Sequence, residues 1–274
     1  MKKILFPLAF SENAPNIFLF ALDWAAKFDA SIVVMHSLGL SKIQKEGTKN
    51  WDELTRKTML KMEEFVKENT PSAYQSIQVT YVLPIGFAAT EIENVAKTEE
   101  IDLIVMGMKA HRTAISSYFS SVAIEVVSWT NIPVLLIPET TAFLEIKNMV
   151  YTFDLQLKEL AIIQQLLKWV KQLEANLSCL HVVESNEQLS EKEIEMAAVS
   201  SLFYHHKKHQ DRISFYLTEG NFERVVKHTS VNHGMDLLVM LSHHRNFKTR
   251  WVQPSTAIKI VRSVEVPILS LIHI

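Results

Sequence analysis

The chain carries one pattern twice, and this internal duplication limits its fold more than any other feature of the sequence. Residues 102–107 read DLIVMG and residues 236–241 read DLLVML. Each run is followed at the same distance by a proline entering a short apolar segment, IPVLLIP from Ile132 and VPILSLI from Val266. Asp102 to Pro133 is 31 residues, and so is Asp236 to Pro267. Gly86 and Gly220 precede the two aspartates equally, so an offset of 134 relates all these landmarks. Earlier in each half the offset is 145, pairing Lys2 with Lys147, Ala9 with Asp154 and His36 with His181. The 11-residue difference falls between His36 and Gly86. A period this long describes two whole domains rather than a solenoid of small units.

Length agrees, since 274 residues is about two domains' worth. The 28 basic and 30 acidic side chains leave a net charge of −2, and neither sign runs in blocks. That excludes the basic footprint of a nucleic-acid binder. Cys179 is the only cysteine, so no internal disulfide forms and a reducing compartment is expected. The opening MKKILFPLAF has the lysines and apolar run of a secretory signal, but it meets Ser11, Glu12 and Asn13 instead of a cleavage site. Its repeat at Lys147, KNMVYTFDL, lies mid-chain, so both read as the first strand of a domain. No stretch approaches the ~20 apolar residues of a membrane span, and a cytoplasmic protein with no membrane partner is expected.

Each half alternates apolar strand runs with helical patterns, which predicts a parallel α/β sheet. The first half reads as strand Ile4–Leu8, helix Pro15–Phe28 and strand Ser31–His36, followed by a helix through Trp51, Leu54, Thr58, Met62, Phe65 and Val66. Then come a strand through Val79, Tyr81 and Leu83, helix Ala88–Thr98, strand Leu103–Met106, a helix around Ser121–Ser128 and strand Val134–Ile137. The second half repeats the order, with helices near Lys158–Leu173, Glu191–Lys208, Phe222–Val231 and Thr256–Arg262. The domains are expected at 1–140 and 146–274. The linker between them has no Gly or Pro tract, which favours two packed domains over beads on a string.

At these residues the chain resembles the universal stress protein family in its tandem form. The marks are a first strand leading into a helix (ILFPLAFSENA, MVYTFDL), a second strand ending at His36 or His181, the DLIVM-like strand, and the Pro-Val/Ile-Leu strand. The resemblance implies five parallel strands per domain in the order 3-2-1-4-5, flanked by helices. It also implies an intramolecular pseudo-dimer, the two halves self-associating through their last strands so that no sheet edge is left open.

Nucleotide-binding members resemble one another in a pattern after the fourth strand: Gly, two residues, Gly, nine residues, Gly, then Ser or Thr. Glycines let the backbone approach phosphate, and amides at the following helix N-terminus receive the anion. The aligned positions are Gly107, Ala110, Ser120 and Ser121 in the first half, and Leu241, His244, Pro254 and Ser255 in the second. A carboxylate at the end of the first strand serves the nucleoside; Ala9 and Asp154 hold that position. The first half keeps one glycine and the serines but no carboxylate. The second keeps Asp154 and Ser255 but no glycine. Pro254 has no N–H to offer, and Leu241 in a left-handed turn costs about 1–2 kcal/mol, so that loop is expected to take another path.

Further candidates surround these positions. Met106 flanks the first loop, where His111 and Arg112 match His243, His244 and Arg245 of the second as a cationic cluster for an anion. His205 and His209 stand at metal-ligating helical spacing, but Lys207 and Lys208 oppose a cation there, and no metal is expected. Cys179 lies in a buried strand, against a role as nucleophile. His36 and His181 are explained as well by structural hydrogen bonds as by catalysis. No nucleophile elbow, Walker loop or carboxylate dyad occurs.

The sequence therefore points to a non-enzymatic tandem universal stress protein acting in stress response. It is expected to use a small ligand or a protein partner, without a cofactor, either as the pseudo-dimer or as a further homo-oligomer. The alternatives are an ATP-binding sensor using the first-half loop, and a metal- or anion-responsive binder using the second-half histidines.

Overall fold

A computed structural model of the chain describes residues 1–39, 51–108, 117–156, 159–183, 189–204, 212–232, 234–242 and 264–272. Two compact units form, Met1–Phe143 and Leu144–Ile274. The first contains strands β1 (Lys3–Pro7), β2 (Ser31–Met35), β3 (Val79–Val82), β4 (Leu103–Met108) and β5 (Val134–Pro138). Its helices are α1 (Ala14–Phe28), α2 (Trp51–Asn69), α3 (Ala88–Thr98) and α4 (Ser117–Trp129). All strand pairs are parallel in the order β3-β2-β1-β4-β5. The second unit contains β6 (Asn148–Thr152), β7 (Asn176–Val183), β8 (Ile213–Glu219), β9 (Leu237–Ser242) and β10 (Ile268–Ile272). Helices α5 (Leu160–Leu173), α6 (Leu189–Tyr204) and α7 (Phe222–Asn232) accompany them. Its sheet is parallel in the order β8-β7-β6-β9-β10. Each unit thus has the 3-2-1-4-5 order the resemblance implied. The helix expected near Thr256–Arg262 lies outside the described residues.

The central strands are buried along nearly their whole length, β4 at every residue but Gly107 and β5 without interruption, because helices cover both faces of a parallel sheet. Helix α1 has Pro15 in its first turn, where the missing N–H is not needed. It buries Ile17, Phe18, Phe20, Leu22 and Trp24. It ends at Asp29 in the left-handed region (φ 52°), and the Ala30 amide donates back to Ala25 O at 2.9 Å. Helix α5 ends alike, with Glu174 at φ 53° and Ala175 donating to Val170 O at 2.9 Å. The first unit runs on to Phe143 because Asn16 on α1 holds the departing chain. Asn16 Nδ2 donates to Thr141 O at 2.8 Å, and its Oδ1 accepts the Phe143 amide at 2.7 Å.

The duplicated aspartates act as strand staples. Asp102 Oδ2 accepts the Lys2 and Lys3 amides at 2.6 and 3.0 Å, tying the entrance of β4 to that of β1. Asp236 Oδ2 accepts the Lys147 and Asn148 amides at 3.0 and 2.8 Å in the same way. An acceptor-only carboxylate takes two amides that a strand end would leave to water. Asp102→Ala and Asp236→Ala are each expected to lower stability by about 1 kcal/mol, the exposed setting keeping the effect small. Urea midpoints equal to wild type would remove the staple from the account.

Gly86 and Gly220, equivalent in the repeat, adopt φ 155° and 148°. Their amides donate to Leu38 O and Val183 O at 3.1 and 3.0 Å. Only glycine takes this backbone freely, and a Cβ at Gly86 would also collide with Glu91. Among the described residues, no helix is long and apolar enough to cross a membrane.

Candidate functional site

The carboxyl ends of the central strands are where an open α/β sheet binds ligands, and the two units differ most there. In both, the second strand sends a histidine back to the end of the first. His36 Nδ1 lies 2.8 Å from Leu8 O, and His181 Nδ1 lies 2.7 Å from Phe153 O. A carbonyl only accepts, so Nδ1 carries the hydrogen in each ring. Leu8 N in turn donates to Met35 O, and Phe153 N to Leu180 O. The paired histidines fasten the ends of two strands, which is the structural alternative stated for them above. Two residues past each contact the chain enters the left-handed region, at Phe10 (φ 51°) and Leu155 (φ 58°).

In the first unit this corner is aromatic. The Phe10 ring packs edge-on against His36 at 4.9 Å and against Phe65 of α2 at 6.5 Å, and Phe65 meets Phe6 and Phe18. Ala9 adds no polar group. Met106 is buried inside β4, paired with Leu136. Gly107 is also inside β4, paired with Ile137, and does not follow the strand as the motif alignment required. A Cβ there would run into Ile17 Cδ1 of α1. The space beside this glycine is thus taken by the tip of the Ile17 side chain. Ser120 and Ser121 lie on α4, but the surroundings of their side chains are outside the described residues. Ala110, His111 and Arg112 are outside them as well.

In the second unit Leu241 lies in β9, paired with Leu271, and is not among the residues with positive φ. Leu241 therefore does not take the left-handed turn that was expected to be too costly there, because strand β9 continues through the position. His243, His244, Arg245, Pro254 and Ser255 lie outside the described residues, as do His205 and His209. Among the described residues, no group of three or more His, Cys, Asp and Glu is arranged to hold a metal.

Asp154 stands exposed at the end of β6, and a residue absent from the sequence reading lies beneath it. Glu159, at the start of α5, is 2% exposed, and its Oε2 accepts the Asp154 amide at 2.9 Å. Burial raises the Glu159 carboxyl above the usual range, and the Asp154 carboxylate adds to the rise. The Asp154 and Gln156 amides and the Tyr151 hydroxyl oppose this without cancelling it. Tyr151 is fully buried; burial, then the Glu159 carboxyl, drive its phenol upward. Its hydroxyl makes no hydrogen bond of normal geometry, although it is electrostatically coupled to Glu159. Cys179, directly across from Tyr151 on β7, is pushed upward by burial and then by Glu159. A buried thiol held protonated is not a nucleophile. The 145-residue offset, which pairs Glu159 with Ala14, was the signal that could have singled it out.

Comparison with known proteins agrees with this architecture. The universal stress protein family matches the chain twice, over residues 1–138 and 145–271. A universal stress protein from Archaeoglobus fulgidus superposes with a TM-score of 0.73 at 15% identity, over 99% of this chain and 96% of that one. A functionally unknown protein from Pseudomonas aeruginosa gives a TM-score of 0.66 at 14% identity, over 100% of this chain and 93% of that one. At such identities the likeness is one of fold. No curated protein matches the chain in sequence. Both halves being matched in order, and each unit having the same parallel topology, the chain belongs to the universal stress protein family and carries two of its domains in tandem.

Proposed function

We propose that this protein acts in stress response as a non-enzymatic binding protein, with a first unit that no longer takes nucleotide and a second unit whose ligand contact is Asp154. One observation carries the reading: at the strand corner of the first unit Phe10, 40% exposed, packs on His36 and Phe65 beside Ala9, where the second unit presents the Asp154 carboxylate. Ala9 removes the carboxylate, and Ile17 accounts for Gly107 without any phosphate. In the second unit Pro254 withholds an amide from an anion, which favours a ligand held through Asp154 rather than through phosphate.

Calorimetry tests both units. ATP titrated into the intact chain is expected to give no saturable heat, and tight stoichiometric binding would sink the proposal. Ala9→Asp alone is expected to leave that result unchanged. Combined with Phe10→Gly, which clears the ring and suits φ 51°, it is expected to raise affinity about tenfold or more, the worth of one charge-assisted hydrogen bond. A gain from Ala9→Asp alone would show that Phe10 does not close the corner.

A further inference from the structure

Helix α6 is apolar on two opposite faces. Met196, Val199 and Phe203 are buried, with the Phe203 ring 5.7 Å from that of Phe215 on β8. On the other side Ile194 is 72% exposed and Leu202 51%, with Ala197, Ala198 and Ser201 between them at helical spacing. One exposed aliphatic side chain on a domain surface is ordinary. A contiguous row is not, and a helix apolar all round is normally covered all round.

The internal repeat supplies the control. The offset of 134 pairs Met196 with Met62 of α2, both buried, so the two helices turn matching sides inward. Against Ala197, Ala198, Ser201 and Leu202 the first unit has Glu63, Glu64, Lys67 and Glu68, all exposed. Leu60, the counterpart of Ile194, is 50% exposed and stands alone beside those charges. One helix of the same fold keeps a wet outer face, and its repeat has lost four charges from it.

Charge selects what covers the face. The glutamates of α6, Glu191, Glu193 and Glu195, fall in its first two turns, where Lys192 pairs with Glu195 at 3.0 Å. The later turns have no charged residue, and the chain continues as His205, His206, Lys207 and Lys208. A second α6 laid antiparallel sets each acidic end towards the other's basic end, whereas a parallel one sets like against like. We propose that this face is a homodimer interface, two copies of the chain packing α6 on α6 antiparallel about a two-fold axis at Ala198. Each copy's Ile194 then meets the Leu202 of the other, and the small residues between them let the helices approach closely. A single helix pair is a small interface, so the dimer is weak and governed by concentration. It makes no use of Asp154 and stands apart from the function proposed above.

Sedimentation velocity of the full chain across the micromolar range is expected to show a monomer–dimer equilibrium. Ala198→Glu gives the face the charge that Glu64 has in the first unit. It is expected to weaken association about tenfold or more, because like charges meet at the axis, and to leave the urea midpoint unchanged. Cross-linking reads the register, since Cys179 is buried and an added thiol on the face reacts by itself. Ala198→Cys is expected to give a disulfide-linked dimer under mild oxidation. Ile194→Cys is not, being held roughly 12 Å from its copy along the axis. A chain that stays monomeric throughout, whether the face is bare or serves a different protein, overturns the proposal. So does a dimer indifferent to Ala198→Glu, or one in which Ile194→Cys cross-links as readily as Ala198→Cys.

Discussion

Gly107→Val is expected to lower stability by about 1–3 kcal/mol with no nucleotide present, because its branched side chain must enter space held by Ile17. The glycine is fixed between neighbours. Its backbone pairs with Ile137 in β4, and its open face receives a side chain of α1. The Ile17 side chain must shift to admit a Cβ, and it does so within the core of the first unit, where Phe18 and Leu22 of α1 are fully buried. Ile17→Ala in the same background is expected to recover part of the loss, giving a coupling energy of about 0.5–3 kcal/mol between the two sites. Urea denaturation of the two single variants and the double variant measures it. Purely additive effects would mean that packing does not explain the glycine, and the phosphate reading would regain its ground. The same clash makes Gly107→Val a poor probe of nucleotide binding, since lost affinity could follow from lost packing.

Glu159→Gln is expected to be more stable than the unaltered protein at pH 7 and equally stable near pH 4. The sign follows from proton linkage. Burial raises the Glu159 carboxyl in the folded chain above its ordinary value of 4.5. From about that pH upward the unfolded chain loses this proton first, so the folded form binds more protons and stability falls as pH rises. The loss is complete once pH passes the raised folded value. Glutamine keeps an amide acceptor and similar volume but has nothing to titrate. The difference between the two proteins can grow by at most about 1.4 kcal/mol per pH unit across the window. Urea unfolding at several pH values between 4 and 8 measures it, and parallel stability curves would contradict a raised Glu159.

The two sites have parted in opposite directions. The first unit has rings at this corner, Phe10 against His36 and Phe65, whose edge contacts add stability without any partner. The second kept its exposed carboxylate and placed a buried acid beneath it, an arrangement that is costly to hold when charged. A purely structural domain gains nothing from that cost, which is why the second unit carries the proposal.

Much of this protein was legible from its residues. Two domains followed from landmarks repeated at offsets of 134 and 145, and the strands from continuous apolar runs that only a sheet covered on both faces can bury. Helix Ala88–Thr98 has the expected bounds, and the paired glycines 86 and 220 mark the same turn. These features are local or repeat at fixed spacing, so a linear reading reaches them. Three decisions required the tertiary structure. Gly107 aligned with a phosphate-loop glycine in the sequence, and only the fold showed that β4 runs through it and that Ile17, ninety residues earlier, fills its open face. Leu241 was expected to avoid a left-handed turn, and only the sheet showed how, with β9 carrying it in extended pairing with Leu271. Glu159 had no place in the sequence reading until the fold buried it beside Tyr151 and the Asp154 amide. In each case the deciding partner lies on another element or across a turn. Close packing and burial are properties of what surrounds a side chain, and only the folded chain specifies those surroundings.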